Sequence, residues 1–90
     1  MILHGGKMVI KCVFPEDMIR RPIIYELTKR FALVSNIKQA MVTSESGWVI
    51  VEITGEKQEV VNGIKWLRQI GVQVYDLFVA TLLATGASEK

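Results

Sequence analysis

"NIKQAMVTSESGWVIVEIT", Asn36 to Thr54, decides the fold. It holds two strand patterns separated by "SESG", a cluster of turn-forming residues. In the first, "NIKQAMVT", alternation puts Ile37 and Met41 on one face and Ala40 and Val42 on the other. The second, "WVIVEIT" from Trp48 to Thr54, is β-branched and aromatic almost without a break, the strongest strand signal in the chain. So short a connection joins antiparallel neighbours, so the stretch is a hairpin.

On the upstream side, "PIIYELTKRF" from Pro22 to Phe31 carries Ile23, Ile24, Leu27 and Phe31 at helical spacing. Pro22 suits the first helical position, where its missing N–H costs nothing. Lys29 and Arg30 fall near the end, where the helix dipole favours cations. Before it, "KMVIKCVF" from Lys7 to Phe14 alternates Met8, Ile10, Cys12 and Phe14 against Lys7 and Lys11, a strand with one buried face. Downstream, "EKQEVVNGIKWLRQI" is a helix with Val60, Ile64 and Leu67 as its buried stripe. Gly55 is a fitting N-cap, and Gly71 a fitting stop. Gly63 costs helix propensity, about 1 kcal/mol against Ala, and is read as a point of close approach between helix and sheet. "VQVYDLF" supplies a last strand.

The order β-α-β-β-α-β predicts an α+β, ferredoxin-like fold: a four-stranded antiparallel sheet with two helices on one face. Right-handed crossovers give the strand order 4-1-3-2. The uncovered face is expected to carry Val9, Val13, Ala40, Val42, Trp48 and Ile50. A patch that large on a monomer points to a homodimer or another docked protein, unless Lys7, Lys11, Lys38 and Glu52 cover it with their stems.

The 90 residues make one domain, placed at 7–79 with tails at 1–6 and 80–90. Half the chain is hydrophobic, which excludes a disordered segment. The net charge of +2, with no dense basic cluster beyond Arg20-Arg21, gives a polybasic nucleic-acid or membrane role little support. An RNA-recognition sheet needs aromatics at two positions on the third strand and one on the first. Trp48 fills one, Ile50 stands at the second, and the first strand offers none. No apolar run is long enough for a leader or a membrane span. Together with the lone Cys12, read as a buried apolar side chain, this predicts a cytoplasmic protein.

Chemistry of the catalytic kind is hard to assemble from these residues. His4 has no second ligand for a metal, the serines lack a Ser-His-Asp order, and Glu16-Asp17 and Glu56/Glu59 read as solvated carboxylates. No cofactor, metal or enzymatic activity is expected. One polar residue stands out. Asn36, in "VSNI", sits where the helix hands over to the strand. It is either a local backbone cap or a ligand contact, since its amide both donates and accepts without carrying charge.

Three pieces of the chain resemble the NIL domain family. "RRPIIYELTKRFALVSNI" matches its proline-started helix running into an Asn-Ile pair. "WVIVEITG" matches its third strand ending in glycine, and "GIKWLRQIGVQVYDL" its last helix and strand. The hairpin between Ile37 and Trp48 is shorter than the family's, and no ATPase portion accompanies the domain. The resemblance implies a ferredoxin-like, dimeric regulatory domain like those of bacterial methionine importers, here standing alone. It implies that Asn36 and Ile37 belong to a site for methionine or a related sulfur amino acid. The apolar slot that a thioether needs is assigned to Ile37, Met41 and Ile23, and an anion site for the carboxylate to the helix start at Arg20-Arg21 and Pro22. The alternative is a ligand-free interaction module docking to a transporter or a sulfur-metabolism enzyme.

Overall fold

The computed structural model describes residues 6–77. His4, Phe78 and the expected tail at 80–90 lie outside the described residues. Four strands, β1 (Lys7–Phe14), β2 (Val34–Val42), β3 (Gly47–Thr54) and β4 (Gln73–Asp76), form one antiparallel sheet in the order β2-β3-β1-β4. Two helices, α1 (Ile23–Arg30) and α2 (Lys57–Gln69), connect them, and a short 3-10 turn, Glu16–Met18, follows β1. This is the expected ferredoxin-like α+β arrangement, with β1 and β3 central.

Alternation explains the core. Met8, Ile10 and Cys12 of β1 and Val49, Val51 and Ile53 of β3 all point to the side where the helices lie, and all are buried. Ile23 and Leu27 of α1 and Val60, Ile64 and Leu67 of α2 meet them from above. Each fully buried aliphatic side chain stabilises the fold by about 1.5–3 kcal/mol relative to an exposed one. Cys12 is fully enclosed, and burial pushes its thiol up to about 12. It is a packing residue at neutral pH.

Helix ends differ from the expected ones in detail. Pro22 is the N-cap of α1 rather than its first residue, and Glu56, not Gly55, caps α2. Gly55 instead gives its N–H to the Gly6 carbonyl, and a Cβ there would come within 2.7 Å of Leu33 Cδ2. Gly71 does end α2: it adopts φ +107, and the N–H of Val72 folds back to Leu67 O at 2.9 Å. Gly63 serves a different contact from the expected one. A Cβ there would lie 3.0 Å from both Leu27 Cδ1 and Leu33 Cδ1, so the glycine brings α2 close to α1 and the segment after it, not to the sheet. The ring contact of Phe31 with Trp66, 6.0 Å between centroids, closes the same seam.

Candidate ligand site

The strand β2 is longer at its start than its pattern indicates and takes in all of "VSNI". Asn36 is therefore the third residue of a strand, paired with Glu52, and not a cap between helix and strand. Its side chain is exposed and makes no hydrogen bond with any described residue. Asparagine is disfavoured in strands, and here no local backbone bond compensates.

The pairing of β2 with β3 shifts between Ile37 and Gln39: Ile37 lies opposite Val51, and Gln39 opposite the very next residue, Ile50. Lys38 is thus an extra residue, a β-bulge, and the alternation inverts across it. Paired residues share a face, so Ile37, Ala40 and Val42 turn toward the helix side, opposite Val51, Val49 and Gly47. Asn36, Gln39 and Met41 join Trp48, Ile50 and Glu52 on the open face. Two expectations are corrected by this. Ile37 and Met41 do not share a face, and Ala40 and Val42 do not belong to the uncovered one.

The open face itself is better covered than its apolar residues imply. Val9, Val13, Trp48 and Ile50 are all half-buried. Lys11 Nζ sits 4.8 Å from the centroid of the Trp48 ring, and Lys7 approaches Glu52 at 4.0 Å. Apolar exposure concentrates instead on β2, where Val34 is 69% exposed, Ile37 54%, Met41 57% and Val42 64%. Among the described residues no helix covers the helix side of this strand, and its outer edge has no neighbour.

The remaining expected site residues lie elsewhere. Ile23 is 3% exposed and belongs to the core, while Pro22 is exposed at the start of α1. That helix begins at the end of the sheet marked by Phe14 and Gly47, which pair with each other. Asn36 and Ile37 lie toward the other end. Asn36 and Val42 are six positions apart, roughly 20 Å of extended chain. A single chain does not bring Pro22 and Asn36 into one pocket.

The two arginines before Pro22 have different surroundings. Arg21 is committed to Glu26, with Nε and Nη2 each donating to a carboxylate oxygen at 2.8 Å. That bidentate bond holds the Glu26 carboxyl below its usual range and raises the Arg21 guanidinium. Arg20 has no such partner among the described residues. It lines a cleft of about 460 Å³ between the 3-10 turn and the connection from β2 to β3, together with Glu16, Asp17 and Ser44. The apolar part of the cleft comes from Ile19 and Val42. Thr43 holds its far wall in place: its hydroxyl accepts the N–H groups of Glu45 and Ser46 at 3.2 and 3.0 Å, and its own N–H donates to Ser46 O at 2.8 Å. Sequence reading overlooked this cleft because its residues come from two segments with no shared motif.

Among the described residues no three His, Cys, Asp or Glu side chains gather where they could hold a metal ion. None of their helices is long and apolar enough to cross a membrane.

The family model for the NIL domain matches residues 8–75. Of solved structures, a crystal structure of the C-terminal domain of an ABC transporter ATP-binding protein from Enterococcus faecalis superposes with a TM-score of 0.66 at 19% identity, over 76% of this chain and 80% of that one. The de novo designed protein Ferredog-Diesel gives a TM-score of 0.45 at 21% identity, over 83% and 87%. No curated protein sequence matches the chain.

Proposed function

Since the chain belongs to the NIL domain family, we propose that it is a regulatory domain that binds methionine or a related sulfur amino acid at a homodimer interface built on β2. The domain spans 7–79 and works in the cytoplasm, in association with a transporter or a sulfur-metabolism protein. It binds rather than catalyses.

The observation that carries this reading is Asn36. It occupies the Asn-Ile position of the family pattern, and the cap role that competes for it is gone, because it lies inside a strand with its amide exposed and without a hydrogen bond to any described residue. An uncharged group that donates and accepts is suited to either end of a free amino acid.

The dimer rests on β2. Apolar on both faces and, among the described residues, free along one edge, it is the kind of strand that soluble proteins protect or pair. Antiparallel pairing with a second copy about a two-fold axis near the strand's middle is self-complementary. It carries Asn36 of one protomer toward the Met41–Val42 end of its partner. The roughly 20 Å that separate the two halves of the expected site within one chain are bridged in this way. The Enterococcus faecalis neighbour, a domain of an ABC transporter ATP-binding protein, is in keeping with a transporter partner.

Isothermal titration of L-methionine into the wild-type chain, with D-methionine and L-leucine as controls, tests the reading. Saturable heat with L-methionine is expected, and its loss in a folded, dimeric Asn36→Ala variant. Absence of heat with all three at millimolar concentration would overturn it. β2 would then be read as the docking strand of a ligand-free interaction module.

A further inference from the structure

The cleft between the 3-10 turn and the β2–β3 connection is distinct from Asn36 and from the core, and its chemistry is mixed. One cation, Arg20, and two anions, Glu16 and Asp17, line it beside an apolar patch from Ile19 and Val42. These three charges form no ion pair with one another or with any other described residue. Arg21, the next residue in sequence, shows the contrast, with a bidentate carboxylate partner. Opposite charges held around one cleft without pairing leave each open to a counter-charge from outside. The Ser44 hydroxyl adds a further polar group on the opposite wall and makes no hydrogen bond with any described residue.

We propose that this cleft binds the zwitterionic head group of a free α-amino acid, with Arg20 taking its carboxylate and Glu16 and Asp17 its ammonium. A zwitterion presents both charges a few bonds apart, which matches a cleft with both signs on its walls and would be poorly served by a site of one sign. Ile19 and Val42 give the adjoining apolar side chain a surface to cover. The guanidinium fork is the group best shaped for a carboxylate. Its neighbour in sequence is excluded from the task by Glu26. The inference deepens the reading above and shares its ligand class. Of the Arg20-Arg21 pair expected to hold the carboxylate, it selects Arg20, and it adds Glu16 and Asp17, which lie outside the matched stretches, for the ammonium.

The test is a residue-resolved titration of the full 15N-labelled chain with L-methionine, followed by amide chemical shifts. The expected perturbations cluster at residues 16–20 and 42–44. Arg20→Gln, at an exposed position, is expected to weaken L-methionine about tenfold or more, the size of one lost charged hydrogen bond. L-methionine amide, which lacks the carboxylate, binds wild type and variant alike. N-acetyl-L-methionine, which lacks the ammonium, is insensitive to Glu16→Gln with Asp17→Asn, whereas L-methionine is weakened by that pair. Saturable L-methionine binding with shifts confined to other residues, unchanged by Arg20→Gln, would overturn the cleft and leave the sensor reading intact. If L-methionine gives no shifts at all, the sensor reading and the cleft assignment fall together, since L-methionine carries the head group that the cleft is proposed to hold.

Discussion

Ala32 holds φ at +47, the left-handed region that L residues avoid, at the point where α1 ends and the chain turns toward β2. Glycine is the residue that ordinarily fills such a C-terminal position. The Cβ strain of about 1–2 kcal/mol is partly offset by the greater entropy an unfolded glycine would have to lose, about 0.5–1 kcal/mol. Ala32→Gly is therefore expected to raise stability by about 0.5 kcal/mol in urea unfolding, and a clear loss would show that the alanine methyl packs usefully. Nothing in the sequence marks this residue, because alanine is the best helix former and reads as the continuation of a helix. Asn36 was legible as an unusual residue at the start of a strand pattern, but not as a residue inside the strand. Its surroundings, Ser35 and Ile37, fit a strand and a boundary equally well.

At the scale of an element, β2 departs furthest from its pattern. Period-two alternation assumes one residue per step, so it cannot register the extra residue at Lys38, and every side chain beyond it was assigned to the wrong face. The strongest strand, β3, carries no such interruption, and its buried and half-buried residues alternate from end to end as its sequence indicates. If β2 is the pairing edge, charge on it disrupts assembly and spares the fold. Val34→Lys with Val42→Lys, both at exposed positions, is expected to give a folded monomer in sedimentation and circular dichroism. A doubly substituted chain that still sediments as a dimer would move the interface elsewhere. At the start of α1, the Arg21–Glu26 bond has a pH signature. The folded Glu26 carboxyl is lowered, so the bond supports the fold above the usual glutamate range, about 4.3, and that support is lost as pH falls through the lowered folded value. In Arg21→Ala the Glu26 midpoint, read by carbon NMR, is expected to climb back toward the usual range. A midpoint that does not move would assign the shift to another cause.

For the whole molecule, the order of elements and the alternation of apolar residues were enough to read the topology, since both report on a core that every residue in it helps to build. The cleft was not readable, since its walls are polar, exposed and far apart in sequence. The core gives its own probe. Cys12 is fully buried, with its thiol pushed up to about 12. A thiol reagent is expected to modify it only through opening of the sheet, at a rate that rises with denaturant in step with global unfolding. Rapid labelling under native conditions would mean that β1 opens locally.

The sheet order also has a consequence for the chain as it is made. The central strand β1 is synthesised first, yet one of its two neighbours, β4, is the last element described: Ile10 pairs with Asp76 and Cys12 with Val74. A ribosome adding about 5–20 residues per second exposes β1 several seconds before that partner exists. Its other neighbour, β3, emerges in between, followed by the helix that covers it. The nascent domain therefore spends its last interval as a three-stranded sheet with β1 open along one edge. Such edges invite pairing between neighbouring chains on one message. Placing Lys7 and Lys11 along that strand puts charge where a premature partner would dock.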